Sequence, residues 1–384
     1  MRVVVNLLVI CIVSLLCGCS SRVSDANMRW VSKYNFMDLY KRKINGNMFN
    51  PGSGLSIDKI VIPNENTIVL GGIKSLREFN DDDRAEDCVV LFVSKDKGKS
   101  YKEILLTDTD LEVLEVDNGF VLTQTFTSSG MGYRNYNVQL LNIKNLEVIN
   151  VDKFSDVNVD RFFEENVRRF SDTNVDIYYF DFVGNYALKR KGDNYKVVNL
   201  FNVKEEYSIP FDIIDHNIFH IGDTKIVYRS NHDQVIKEYN AKTKETRLIK
   251  KLNGNYAYWM KRNGEIFLKK VIEEKEDGHV YRYGIYDMNE NKLYEETSET
   301  EYYYRYKNFV CDFTELGAKP TLRYSYDYGN TWTTHNITDF TIMRRVFGFY
   351  QNKFLVTEGI YWRGDSEESG GRIMVGEFTP GRVE

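Results

Sequence analysis

The sequence predicts an all-β fold assembled from repeated four-stranded units, and three observations predict it. Aromatic residues are abundant, with 27 Tyr and 23 Phe against only 5 Pro, and aromatic and β-branched side chains suit pleated, half-buried surfaces. Short apolar segments follow one another along the chain without a sustained 3.6-residue period, which excludes a helical array. Turn residues recur at a nearly constant interval: Gly98, Asn145, Gly192, Lys242, Glu290 and Gly329 are 47, 47, 50, 48 and 39 positions apart. An interval of about 40–50 residues is what one blade of a propeller needs.

Each interval supplies its strands. SIDKIVIP, NTIVLGGI, CVVLFVS and SYKEILL make a first unit, and LEVLEVD, GFVLTQTF, YNVQLLNI and LEVINVD a second. IFHIGDTKIVYR, YAYWMKR, EIFLKKVIEE and NFVCDFTEL fall in later units. After the sixth turn, RRVFGFYQ, KFLVTEGIYW and GRIMVGEF give three strands and leave a fourth missing. The apolar-aromatic segment RWVSKYNF, residues 29–36, has no neighbours of its own and is expected to supply it. Closing the ring in this way leaves few exposed strand edges. The count favours a β-propeller of seven four-stranded blades, with six as the alternative. Cys88 and Cys311 then fall in the first and sixth blades, too far round a seven-bladed ring to be bonded, and are expected to be buried free thiols.

Two of the turns carry one pattern. Ser94-Lys95-Asp96-Lys97-Gly98-Lys99-Ser100-Tyr101 and Ser325-Tyr326-Asp327-Tyr328-Gly329-Asn330-Thr331-Trp332 both read S-x-D-x-G-x-[ST]-aromatic. Ser and Asp side chains bind turn backbone groups, Gly permits positive φ, and the aromatic ring packs back between sheets. The pattern resembles the Asp-box, or bacterial neuraminidase repeat, and the resemblance implies a turn between the third and fourth strands of a propeller blade. It implies a structural role for Ser94, Asp96, Gly98, Ser100, Tyr101, Ser325, Asp327, Gly329, Thr331 and Trp332.

The N-terminus reads differently. Arg2 precedes an apolar stretch from Val3 to Leu16, which suits an export signal and is short for a permanent membrane span. It ends in Leu16-Cys17-Gly18-Cys19, which resembles the lipobox of bacterial lipoproteins. The resemblance implies cleavage after Gly18, with Leu16, Cys17 and Gly18 as the recognition residues, and acylation of Cys19. The chain then divides into a signal peptide (1–18), a lipidated N-terminus with a short tether (19–28) and a single propeller domain (29–384) closed by an N-terminal strand. Ser20 after the cysteine resembles the outer-membrane pattern, so the expected location is the periplasmic face of that membrane. The polar tether has a root-mean-square reach of only about 17 Å.

Composition bounds the function. Apolar content is 42% and charged content 28%, ordinary globular values. A net charge of −5 without a basic run makes nucleic acid a poor partner. No phosphate loop, G-x-S-x-G elbow or C-x-x-C is present. His216, His220, His232, His279 and His335 do not group as metal ligands. Asp287 to Asn291 begins like a calcium loop, but Lys292 stands where the Gly is needed and Ser298 where the bidentate Glu is. The acidic run Asn80 to Asp83 with Glu86 and Asp87, and the segment Thr125 to Gly132, are expected to be loops. The sequence thus indicates no catalytic residue, metal or cofactor. It points to a membrane-anchored, non-catalytic binding module of the cell envelope with a protein or glycan partner, an immunity-type or assembly protein being one version. The name of the repeat suggests the alternative, a sialidase-like glycoside hydrolase. That chemistry needs an arginine cluster on the substrate carboxylate, and Arg77, Arg134, Arg229, Arg305 and Arg323 are the available residues.

Overall fold

The computed structural model describes residues 27–35, 43–44, 47–48, 55–76, 86–129, 133–155, 177–192, 194–210, 218–230, 234–254, 256, 258–262, 265–274, 280–297, 304–313, 321–336, 342–360 and 371–379. The order of elements begins with β1 (Asn27–Asn35) and the two-residue strands β2 (Lys43–Ile44) and β3 (Asn47–Met48), which pair with each other. Blade 1 follows as β4 (Leu55–Asn64), β5 (Thr67–Leu76), β6 (Glu86–Ser94) and β7 (Lys102–Leu105). Blade 2 is β8 (Asp110–Asp117), β9 (Phe120–Ser129), β10 (Tyr133–Asn142) and β11 (Val148–Ser155). Blade 3 is β12 (Ile177–Val183), β13 (Tyr186–Lys191), β14 (Asn194–Asn199) and β15 (Glu206–Ser208). Blade 4 is β16 (Ile218–Gly222), β17 (Lys225–Ser230), β18 (Val235–Asn240) and β19 (Glu245–Lys251). Blade 5 is β20 (Tyr258–Arg262), β21 (Glu265–Glu274), β22 (Val280–Tyr286) and β23 (Lys292–Thr297). Blade 6 is β24 (Tyr304–Tyr306), β25 (Phe309–Phe313), β26 (Thr321–Ser325) and β27 (Thr333–Asn336).

Blade 7 combines both ends of the described chain. β28 (Ile342–Tyr350), β29 (Phe354–Ile360) and β30 (Gly371–Thr379) form its first three strands, and β1 is its fourth. β1 runs antiparallel to β30 from Asn27 opposite Thr379 to Asn35 opposite Arg372, with one bulge between Trp30 and Ser32. The chain is a seven-bladed β-propeller.

Seven apolar cores hold the ring, one at each junction between neighbouring blades. Ile57, Leu70, Val90 and Phe92 of blade 1 meet Phe354, Val356, Ile373 and Val375 of blade 7. The alternate residues Val69, Val89, Leu91 and Val93 point the other way, to Leu114, Val121 and Leu141 of blade 2. The same split recurs in blade 3, where Ala187 and Val198 face blade 2 while Leu188 and Val197 face blade 4. Middle strands covered on both faces read as continuous apolar runs such as CVVLFV rather than as clean alternation. Blades 6 and 7 meet through Phe309, Leu322, Tyr324, Leu355, Met374 and Phe378, with Met28 of β1 among them. Cys88 and Cys311 are both buried and free, in blades 1 and 6, and burial pushes both thiols up from their ordinary range.

Three sequence expectations shift. Gly192 lies between the second and third strands of blade 3, not the third and fourth, where the turn is instead Leu200 to Glu205. Thr125 to Ser129 belong to β9 and Glu86 and Asp87 to β6, so neither segment is wholly loop. Thr125 is buried because it donates, with Asn137 and Thr127, to the carboxylate of Asp108 in the connection between blades 1 and 2. β1 starts at Asn27, two residues inside the segment read as tether.

Candidate functional site

The pattern residues assemble two copies of one hydrogen-bonded turn. In blade 1 the Ser94 hydroxyl donates to Asp96 Oδ1 (2.8 Å) and accepts from the backbone N–H of Gly98 (2.7 Å). Asp96 in turn accepts from the Ser100 N–H (2.9 Å) and hydroxyl (2.6 Å). In blade 6 Ser325 donates to Asp327 (2.6 Å) and accepts from Gly329 (2.9 Å), and Asp327 accepts from the Thr331 N–H (2.8 Å) and hydroxyl (2.7 Å). Positive φ falls at the same two places, Lys97 and Gly98 (58° and 78°) and Tyr328 and Gly329 (62° and 87°). Partial burial disfavours the charged form of each aspartate, but the hydrogen bonds outweigh it. Those from Ser100, Ser94 and the Lys99 N–H hold Asp96, and those from Ser325, Thr331 and the Asn330 N–H hold Asp327, below the ordinary carboxylate value. These oxygens are occupied in binding their own turns.

The sequence did not show that the other third-to-fourth turns use the same device. Asn142, Asn199 and Asn240 end the third strands of blades 2 to 4 and Asp287 follows that of blade 5, and each accepts backbone N–H groups of its turn: Lys144, Phe201, Lys242 and Thr243, and Asn289 and Asn291 respectively. Asp287, which opens the calcium-like segment, is thereby committed to backbone donors. The third-to-fourth turn also leans on the first-to-second turn of its blade. Lys97 donates its N–H to the Asn66 carbonyl, Ile143 to Gly119, Leu200 to Asn185, Ala241 to Thr224 and Tyr328 to Asn308, at 2.8–3.0 Å. All these turns therefore share one edge of the ring, the turn edge, and the second-to-third and inter-blade connections leave from the opposite edge. The signal available in sequence was an Asn or Asp directly after each apolar third strand.

The surroundings of the two full copies differ. Tyr101 packs into the core between blades 7 and 1, edge-on to Tyr34 of β1 at 5.0 Å, and burial drives its phenol far above the ordinary range. Trp332 is half-buried and carries the Arg323 guanidinium over its ring at 4.6 Å, so its partner is a cation rather than an inter-blade core.

Beside the blade 1 turn lies an open cleft of about 500 Å³ lined by Arg29, Trp30 and Val31 of β1, Asn66, Asp96, Lys97, Lys99 and Glu377. Glu377, on β30, is shared by Arg29 (3.1 Å) and Lys97 (2.5 Å), and their cations hold its carboxyl below the usual range, Lys97 more strongly. Arg29, Lys97 and Lys99 face the carboxylates of Glu377 and Asp96, which leaves the recess with cations in excess. Such a recess suits an anionic group. The sequence marked Arg29, Trp30 and Val31 only as part of the closing strand and did not mark Asn66 or Glu377, because β1 and β30 are 348 positions apart at the Arg29–Glu377 pair.

The arginines considered for a substrate carboxylate do not converge. Arg134 in blade 2 meets Glu112 at 3.5 Å, and Arg229 in blade 4 donates to Gln234 at 2.8 Å. Arg305 and Arg323 are both in blade 6, one against the rings of Tyr294 and Tyr328 and the other bound to Asp312. Arg77 lies outside the described residues, as do Leu16, Cys17, Gly18 and Cys19. Among the described residues no group of His, Cys, Asp or Glu is arranged to hold a metal. His220 is buried with its ring nitrogens 2.7 and 2.6 Å from the carbonyl oxygens of Asp181 and Asp223, a clasp between blades 3 and 4.

No family model matches the chain, and no curated protein does. Solved structures do resemble it. The β-propeller domain of the Trilobed protease from Pyrococcus furiosus is 10% identical, with 86% of this chain and 98% of that one covered and a TM-score of 0.48. The β-propeller domain of Cps50 (Swd1) from Myceliophteria thermophila is 9% identical, with 85% and 99% covered and a TM-score of 0.42. The N-terminal domain of Nup159 is 7% identical, with 92% and 96% covered and a TM-score of 0.39.

Proposed function

We propose that this chain is a lipid-anchored, non-catalytic binding module of the cell envelope, held through Cys19 on the periplasmic face of the outer membrane. The observation that carries the non-catalytic part is the occupation of the most recognisable polar residues. Ser94, Asp96, Ser100, Ser325, Asp327 and Thr331 spend their hydrogen-bonding capacity on their own turns. The carboxylates of both turns are held in the charged form, the opposite of what a general acid needs. A rigid ring bearing variable connections suits recognition, and the partner is a protein or glycan of the envelope, with an immunity-type or assembly role as the concrete version. The anchoring part is supported by the lipobox-like Leu16-Cys17-Gly18-Cys19, eight residues before β1.

The test has two arms. Intact mass of the membrane-extracted protein is expected to show removal of residues 1–18 and acyl chains on the new N-terminus; an unmodified Cys19 would overturn the anchor. Affinity capture from solubilised membranes, with a fluorogenic sialoside assay on the same preparation, decides the activity. A stoichiometric partner without turnover supports binding, and sialoside turnover overturns the non-catalytic reading.

A further inference from the structure

We infer that the cleft between β1 and the blade 1 turn is a docking site for the anionic headgroups of membrane lipids, so that the ring stands on the membrane by this edge. The inference rests on the anchor proposed above. Three observations carry it.

The first is where the chain enters the ring. β1 begins at Asn27, opposite Thr379 at the turn edge of blade 7, and Arg29 of the cleft is two residues further on. Asn27 is eight positions after Cys19, a span that reaches at most about 29 Å when fully extended. An acyl chain on Cys19 therefore holds this edge of the ring near the headgroups.

The second is the chemistry of the free positions in the two full turns. Ser, Asp, Gly and the second hydroxyl residue build the hydrogen-bonded loop, which leaves the intervening positions unconstrained by it. In blade 6 those positions are Tyr326, Tyr328 and Asn330; in blade 1 they are Lys95, Lys97 and Lys99. Both turns flank blade 7, where the chain enters; Lys97 and Lys99 of the blade 1 turn line the cleft, Lys95 donates instead to the Lys144 carbonyl of blade 2 at 2.8 Å, and the blade 6 turn offers no lysine.

The third is the charge balance of the cleft. Arg29, Lys97 and Lys99 line it against the charged carboxylates of Glu377, shared by Arg29 and Lys97, and of Asp96, bound by its own turn, so the cations are in excess. The Arg29 side chain is 75% exposed, so its guanidinium is open to a phosphate as well as to Glu377. Trp30 and Val31 add an apolar wall of the kind found at headgroup level. Lysine and arginine held close to an anionic surface each add to membrane attachment, as a second signal beside the acyl chains.

The experiment uses the full acylated protein in vesicles of phosphatidylglycerol or of phosphatidylcholine, with lysine acetylation read by mass spectrometry. Labelling of Lys97 and Lys99 is expected to fall at least about fivefold in phosphatidylglycerol relative to phosphatidylcholine and to recover in roughly 0.5 M salt. The exposed Lys191 and Lys251, at the ends of β13 and β19 on the opposite edge, should not change. Equal labelling in the two lipids, or protection of Lys191 and Lys251 instead, overturns the inference. A second variant carries the blade 6 residues at the two cleft positions, Lys97→Tyr and Lys99→Asn, which keeps every residue of the hydrogen-bonded turn. It should remain acylated and leave phosphatidylglycerol vesicles for acceptor vesicles at least about tenfold faster; an unchanged transfer rate overturns the site. An acylated protein with unprotected lysines removes the headgroup site alone. A protein without acyl chains removes the anchor and this orientation with it.

Discussion

The turns of blades 1 and 6 form a controlled comparison within one chain. Their internal hydrogen bonds match one for one, and so do their positive-φ residues. What differs is what presses on them from outside. The blade 1 turn lies at the closure, where β1 and β30 bring Ser32, Tyr34 and Val375 against it; Gly98 is buried and Tyr101 is part of an inter-blade core. The blade 6 turn sits between blade 5 and the closing blade 7 rather than against the seam of β1, β30 and blade 1, and Gly329 and Trp332 are only half-buried. A turn motif therefore fixes local geometry, while its position in the ring decides how much stability depends on it.

Substitution of the aromatic residue should separate the two copies most. Tyr101→Ala empties part of the junction between blades 7 and 1 and is expected to cost about 3–5 kcal/mol. Trp332→Ala loses partial burial and a cation–π contact and should cost roughly 1–2 kcal/mol. Denaturant unfolding of the two variants measures the difference, and equal losses would break the comparison.

The glycines come next. A Cβ on Gly98 would stand 2.8 Å from Val375 Cγ2 and 2.9 Å from Ser32 Oγ, in addition to the strain of its positive φ. Gly98→Ala is expected to cost about 2–4 kcal/mol. Gly329→Ala carries the backbone strain and should cost about 1–2 kcal/mol. Melting temperatures of the pair give the ranking, and a larger drop for Gly329→Ala would refute the part assigned to closure.

The aspartates should not separate the copies, because their partners are the same. Asp96→Ala and Asp327→Ala each strand a serine hydroxyl and turn N–H groups and are expected to cost about 1–3 kcal/mol apiece. Both carboxyls lie below their ordinary value of 3.8 in the folded chain. Their stabilisation is therefore complete well above pH 3.8 and is lost as pH falls through the folded values. Acid titration of the wild type against each variant should show that the variants have lost part of this low-pH slope; an unchanged slope would contradict the network.

Glu377→Gln is the smallest expected change. It weakens two partly exposed ion pairs across the closing strand and should cost roughly 0–1 kcal/mol, less at high salt. A large loss would mean that the seam depends on charge rather than on the packing of Met28 and Val375.

The sequence by itself determined the class of fold, the blade length and both full turns, because those are local. An apolar run covered on both faces reads as CVVLFV wherever it sits, and Ser, Asp and Gly at fixed offsets close a loop without help from distant residues. It misassigned Gly192 because a glycine at positive φ serves a second-to-third hairpin as well as a third-to-fourth one; only the pairing of β14 with β13 and β15 tells them apart. It passed over Asn142, Asn199 and Asn240, since a lone asparagine after a strand acquires meaning only when the same position recurs around a ring. The cleft was beyond its reach for a simpler reason. The apolar-aromatic segment 29–36 did announce the closing strand, but Arg29, Asn66, Lys97 and Glu377 meet because of the register in which β1 lies on β30, and that register is settled by the packing of Met28 with Phe378 and of Val375 with the blade 1 core, which no local pattern encodes.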